Sequence, residues 1–163
     1  MAEIVRATED HWQQLRTVRL ASLEADPSAF GSTLDRELPY AEDRWREWTK
    51  SAACFLALED GIAFGMATLR RLPKPSEQAA TAEINAMWVD PERRGTGAGT
   101  GLLLGCLEQA RTDRHQVVRL WATSGNSGAI TLYEKHGFIP TGRVEPLLSD
   151  PQLDVLEFVL PLV

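Results

Sequence analysis

Residues 93–101 read RRGTGAGTG and run directly into LLLGCLEQAR. Four glycines in nine residues are a costly way to enter a helix, since each is about 1 kcal/mol worse than alanine inside one. The cost is rational only where bare backbone is wanted. A glycine-rich strand-to-helix turn lets amides approach an anion, and the helix start adds unpaired N–H groups and a partial positive charge. The chemistry implied is phosphate binding. Two familiar phosphate turns do not fit: GxxxxGK[ST] lacks its lysine, and the sixth position of GxGxxG is Thr100 counted from Gly95, or Leu102 counted from Gly97. A plain surface turn predicts polar flanks, whereas MWV and LLLG stand on either side. What remains is R-x-x-G-x-G over 94–99, preceded by Val89-Asp90-Pro91.

Other reactive groups are few. Tyr133 lies in NSGAITLYEKHGF, and Glu83 is a carboxylate inside the strand-like TAEINAMWV with Asn85 on its face. GNSGA lacks the GxSxG spacing of a serine nucleophile. His11, His115 and His136 have no metal-ligand spacing, and no metal is expected. The net charge of −6 argues against nucleic acid without a basic patch; Arg70, Arg71 and Lys74 read as a solvated loop. Cys54 and Cys106 sit in apolar runs as small core residues. No stretch approaches the ~20 apolar residues of a membrane span, and MAEIVRATEDHW lacks a signal-peptide pattern. Cytoplasmic residence is expected.

The elements that must position these groups follow from periodicity and turn residues. A strand at 2–7 precedes a helix capped by Thr8 and running to about Ala25. After the loop DPSAFGSTLDRELP comes a helix from about Tyr40 to Lys50. Asp60-Gly61 between two apolar runs marks a hairpin over 53–70. A strand at 81–89 leads through the glycine turn into a helix over 97–114. Strand 117–123, helix 127–136 and strands near 138–144 and 153–162 complete the chain. With 163 residues, 44% of them hydrophobic, this is one domain over 1–163. It is α/β (mixed α+β), with about seven strands and about four helices. The hairpin argues for antiparallel pairing, and the strand–helix–strand passage from 81 to 123 for one parallel crossover.

The pattern R-x-x-G-x-G at 94–99, together with NSGAITLYEKHGF at 126–138, resembles the two signatures of the GNAT superfamily of acetyl-CoA-dependent N-acetyltransferases. The resemblance covers about 53–143, with one helix and one strand between the signatures. It implies a mixed, mostly antiparallel sheet whose one parallel pair splays apart to admit coenzyme A. It implies that backbone groups of Met87, Trp88 and Val89 pair with the pantetheine arm, and that a bulge near them frees an N–H for the acetyl oxygen. Arg94 and the amides of Gly95, Thr96, Gly97, Ala98, Gly99 and Thr100 would hold the pyrophosphate, with Arg93 toward the 3′-phosphate. Asn126 would touch the cofactor, Tyr133 would bind near it and protonate the departing thiolate, and Glu83 would be the base, directly or through water. From the residues alone Asn126 reads also as a plain N-cap, Tyr133 as aromatic packing and Glu83 as a sheet-face acid paired with an arginine.

The expected activity is acetyl transfer from acetyl-CoA to a primary amine of a small molecule or peptide, within a ternary complex. The fold also admits another acyl-CoA, or a non-catalytic acyl-CoA-binding role. Acceptor contacts are expected from about 24–50 and the loops at 71–80 and 144–151, where Phe30, Glu37, Glu42, Asp43, Trp45 and Trp48 would suit a cationic, partly apolar amine. The last strand, apolar on both faces, suggests a homodimer.

Overall fold

A computed structural model describes residues 2–73 and 80–162. Its elements in order are β1 (Glu3–Arg6), α1 (Trp12–Ala25), α2 (Leu34–Glu37), α3 (Glu42–Ser51), β2 (Ala53–Glu59), β3 (Ile62–Arg71), β4 (Thr81–Val89), α4 (Ala98–Thr112), β5 (Val117–Thr123), α5 (Ser127–Lys135), β6 (Ile139–Leu147) and β7 (Asp150–Pro161). The seven strands form one sheet in the order β1-β2-β3-β4-β5-β7-β6. Every neighbouring pair is antiparallel except β4 and β5. The mixed sheet expected from the sequence is therefore observed, with one helix more.

That extra helix, α2, lies within the stretch read as loop. Thr33 caps it, accepting from the Arg36 N–H at 3.2 Å, but four residues are too few to show a 3.6-residue period. The start of α1 is displaced too. Thr8 begins a 3₁₀ turn over Glu9–His11 and its N–H donates to His11 Nδ1 at 3.0 Å, so the α-helix proper opens at Trp12. The hairpin turn is as read: Asp60 and Gly61 both have positive φ, 52° and 77°, as the tightest two-residue connection requires.

Both sheet faces are covered. Alternate residues of β2 point opposite ways, Phe55 and Ala57 toward α4, Cys54 and Leu56 toward α1 and α3. Burial on both sides explains why the strand reads as an unbroken apolar run. On one face Leu102, Leu103, Cys106 and Leu107 of α4 pack with Val118, Leu120 and Phe158. On the other, fully buried Trp45 joins Leu15, Val18 and Met66. Gly101 owes its identity to packing, because a Cβ there would stand 2.9 Å from Ile4 Cγ1.

The apolar last strand has an internal explanation. β7 lies between β5 and β6 and is hydrogen-bonded on both edges by strands of its own chain. Its two-sided character therefore gives no argument for a second copy; the free edges belong to β1 and β6. Arg70 and Arg71 need a correction as well. They end β3 instead of lying in a solvated loop, while Lys74 falls outside the described residues.

Candidate active site

The parallel pairing of β4 with β5 runs only from Thr81↔Val117 to Ile84↔Leu120. Beyond it β4 continues to Val89 and β5 to Thr123 without pairing to each other, which opens a wedge. On its other side β4 carries a bulge. Thr68 faces Asn85 and Met66 faces Trp88, so Ala86 and Met87 together oppose the single Ala67. Ala86 sits at φ 53°, a left-handed conformation costing a non-glycine residue about 1–2 kcal/mol. Such strain is kept where surrounding pairings enforce it, typically beside functional sites.

The wedge opens toward the glycine turn. Asp90 Oδ1 accepts from the Glu92 N–H at 3.0 Å and starts a 3₁₀ turn over Pro91–Arg93. Gly95 and Gly97 then take φ of 80° and 90°, and α4 begins at Ala98. The N–H groups of Ala98, Gly99 and Thr100 are the first of the helix and have no intrahelical acceptor. No acidic side chain stands in this first turn, and a Cβ on Gly97 would meet nothing within 4 Å. Open space above unpaired amides at a positive helix end suits a pyrophosphate.

Arg94 is half-exposed beside this turn. Its Nε donates to the Val89 carbonyl and its Nη2 to Asp26 Oδ2, each at 2.9 Å. Asp26 Oδ2 also accepts from Trp88 Nε1 at 2.7 Å. Arg93 is turned elsewhere, bound to Glu59 and lying 4.8 Å over the Phe64 ring. Asn126 caps α5, its Oδ1 accepting from the Ala129 N–H at 3.3 Å. The same side chain keeps its NH₂ for other partners.

Tyr133 projects from α5, 5% exposed, with its ring 6.0 Å from Phe138. Burial, with Cys106 nearby, pushes its phenol above the ordinary tyrosine range. The hydroxyl is thereby kept protonated. Tyr133 and Met87 line a cleft of about 1090 Å³ together with Trp121, Trp48 and Arg36. The segment after α1 adds Ala29, Phe30, Gly31 and Ser32 to its lining. It is tied to β4 through Asp26 and Trp88, to β5 through Thr123 Oγ1 donating to the Ser28 carbonyl at 2.8 Å, and to the β6–β7 turn through Ser149 Oγ donating to the Phe30 carbonyl at 2.5 Å.

Glu83 is buried in the floor of this cleft between two arginines. Oε1 accepts from Arg70 Nε at 3.2 Å and Nη2 at 2.8 Å; Oε2 accepts from Arg119 Nε at 2.9 Å and Nη2 at 2.5 Å. A carboxylate offers about four lone-pair sites, and guanidinium N–H groups fill them. Glu83 in this arrangement has no site left for an ammonium proton or an ordered water.

The expected acceptor wall is less acidic than its sequence suggests. Glu37 is buried and takes Arg19 Nε and Nη2 at 2.9 and 3.0 Å. Burial alone would raise its carboxyl, but the hydrogen bonds and charge of Arg19 outweigh this and hold it below the ordinary value. Glu42 is paired with Arg46 at 3.0 Å, and Trp45 is core. Phe30, Glu37, Asp43, Trp45 and Trp48 all line the cleft, and Glu42 does not. Of the loop at 71–80, positions 74–79 lie outside the described residues.

Three functional candidates escaped the sequence reading: Asp26, Arg70 and Arg119. Their partners lie 68, 13 and 36 positions away in the chain, and only strand register brings them together. Among the described residues no cluster of His, Cys, Asp and Glu is placed to hold a metal, and no helix is long and apolar enough to cross a membrane.

Residues 12–138 match the sequence model of the acetyltransferase (GNAT) family. An uncharacterized N-acetyltransferase of Methanocaldococcus jannaschii is 40% identical over 62 residues, covering 38% of this chain and 27% of that protein. The mycothiol acetyltransferase of Rhodococcus jostii is 29% identical over 138 residues, 83% of this chain and 44% of its own. The chain thus spans less than half the length of these curated relatives. Among solved structures, the acetyltransferase yncA of Salmonella typhimurium with its cofactor acetyl-CoA superposes with a TM-score of 0.82 at 19% identity, over 100% of this chain and 95% of the other. The ribosomal-protein-alanine N-acetyltransferase of Brucella melitensis gives 0.80 at 21% identity, over 98% and 99%. At these identities the structures show a shared fold.

Proposed function

Because the chain belongs to the acetyltransferase (GNAT) family, we propose that it moves an acetyl group from acetyl-CoA to a primary amine, directly, in a complex holding both. The observation that carries this reading is one alignment. The β4–β5 wedge, the strained bulge at Ala86–Met87 and the glycine turn lie in sequence along a single strand and the helix it feeds.

Acetyl-CoA supplies the acyl group already activated as a thioester. The edge of β4 over Met87, Trp88 and Val89, which β5 leaves unpaired, faces its arm as it would an added strand, once Arg94 releases the Val89 carbonyl. The amides of 95–100 and Arg94 hold its pyrophosphate, with Arg94 leaving Asp26 or sharing it. Asn126 contributes its NH₂ from the head of α5. An N–H freed by the bulge donates to the acetyl oxygen as negative charge gathers there, a contribution of about 3 kcal/mol for one such donor. Tyr133 gives its hydroxyl proton to the departing sulfur. The amine must shed a proton before attack. Glu83 serves as base only if one arginine releases it; with both in place, cleft water takes the proton.

The test is turnover. Thiol release from acetyl-CoA, dependent on an added amine and accompanied by N-acetylated product, supports the proposal. Acetyl-CoA binding without release across a broad amine panel favours a non-catalytic acyl-CoA-binding role, and release only with longer acyl chains another acyl donor. Cytoplasmic residence belongs to the same proposal, supported by two buried free thiols, Cys54 and Cys106. So does a homodimer, placed at the outer edge of β6, where Ile139 and Val144 are 55% and 52% exposed. Sedimentation showing only monomer at micromolar concentration would remove it.

A further inference from the structure

Resting on that reading of the cleft, we propose that the acceptor is an amine carrying a carboxylate, and that Arg70 and Arg119 bind this carboxylate. Both guanidiniums line the cleft with Glu83 buried between them. Arg70 sits opposite Glu83 on β3 and Arg119 opposite it on β5, so a single carboxylate fixes two arginines on adjacent strands. A guanidinium has five donors. Arg70 spends Nε and Nη2 on Glu83, and among the described residues its Nη1 has no hydrogen-bond partner. Arg119 does the same, and its Nη1 has only Glu157 at 3.7 Å, beyond hydrogen-bond range. Their side chains are 52% and 25% exposed, against 8% for Glu83.

The unspent donors, and not a net charge, favour an anion at this place. Two cations face one anion on the floor. Glu157, next in the row, is met by Arg143 at 3.6 Å and by the Thr141 hydroxyl at 2.8 Å, and Glu145 at the rim pairs with the same Arg143. On the helical wall Arg36 and Arg44 stand against Asp43 and Glu47, and Arg19 is spent on Glu37. Along this row Arg70, Arg119 and Arg143 balance Glu83, Glu157 and Glu145, so what the floor offers an anion is its two unspent Nη1 groups.

Arginine forks match carboxylate geometry, and a pair already fixed loses little side-chain entropy on binding. Glu83 then works as a positioning residue that presents the two forks. It stands three or four residues before the bulge, about 10–13 Å at ~3.3 Å per residue. An acceptor whose amine meets Met87 and whose carboxylate meets the forks beside Glu83 therefore spans about that distance.

The experiment compares ω-amino carboxylates of increasing length with alkyl amines of matched length, by kcat/KM for acetyl transfer. The amino carboxylates should exceed their counterparts by tenfold or more at the best length. Arg70→Gln and Arg119→Gln should each shrink that ratio, mainly by raising acceptor KM while KM for acetyl-CoA holds. Glu83→Gln should raise acceptor KM in the same way, whereas a lost base would lower kcat and recover at high pH. Glutarate should compete with the acceptor and not with acetyl-CoA; this arm uses the unaltered protein and stands if a variant fails to fold. Alkyl amines that turn over as well as amino carboxylates would overturn this inference and leave acetyl transfer intact. An absence of turnover with every amine would remove both.

Discussion

Gly97 separates the cost of a backbone conformation from the cost of blocking a ligand. It lies at φ 90° and ψ −1°, immediately before α4. A Cβ there would meet nothing within 4 Å, so the cost of Gly97→Val in the folded protein is chiefly backbone strain. The strain is about 1–2 kcal/mol. At ~2–4 °C per kcal/mol for a chain of this size, Tm should fall by about 2–8 °C. Gly61 is the matching control, at φ 77° with equally open surroundings but in the β2–β3 turn. Gly61→Val should lose a similar Tm and bind acetyl-CoA as the unaltered protein does. Gly97→Val carries a second penalty, because its methyl groups occupy the space through which phosphate oxygens reach the helix amides. Its acetyl-CoA Kd, measured by titration calorimetry, should rise tenfold or more, at least about 1.4 kcal/mol. A folded Gly97→Val protein with the expected Tm loss and unchanged Kd would refute the assignment of this turn.

Other predictions follow from the same geometry. Tyr133→Phe keeps the ring against Phe138 and removes only the proton donor, so kcat should fall by roughly 10²-fold with acetyl-CoA affinity held; a full rate with chemistry limiting would leave Tyr133 as packing. Since burial raises that phenol, pH–rate profiles should show no loss from tyrosine ionisation up to pH 10. Glu37→Gln strands the buried Arg19 and should cost about 3–5 kcal/mol in denaturant unfolding at pH 7. A lowered folded-state value means that Glu37 stabilises above its ordinary 4.5 and progressively less as pH drops below it. The gap between the two proteins should accordingly narrow from pH 6 to pH 3, and a gap independent of pH would count against the ion pair. Cys54 and Cys106, both pushed up to about 12 by burial, should resist thiol reagents at pH 8 until the protein unfolds; rapid labelling of the native protein would contradict that.

Local chemistry was legible in the sequence, and cross-strand chemistry was not. Asp60-Gly61 and the 94–99 pattern declare themselves because a turn and a helix start are set by adjacent residues. The bulge could be anticipated only through resemblance, since nothing in NAMWV by itself distinguishes Ala86 from its neighbours. Glu83 shows the limit most clearly. From TAEINAMWV it reads equally as a base or as a sheet-face acid paired with an arginine, and only the registers of β3 and β5 show an arginine on each of its oxygens. Arg70 ends the expected hairpin strand, but only register sets it opposite Glu83. Asp26 is joined to Arg94 and Trp88 by folding alone. β7 makes the converse point: a pattern read as an unsatisfied surface is satisfied by two strands of the same chain.

The central claim is acetyl transfer to an amine, and mass spectrometry of the acceptor tests it most directly. Purified protein incubated with acetyl-CoA and a panel of amines, including ω-amino carboxylates, should yield N-acetylated product in step with free coenzyme A. The yield should fall sharply in the Tyr133→Phe protein. Tight acetyl-CoA binding with no acetylated amine anywhere in the panel would contradict it.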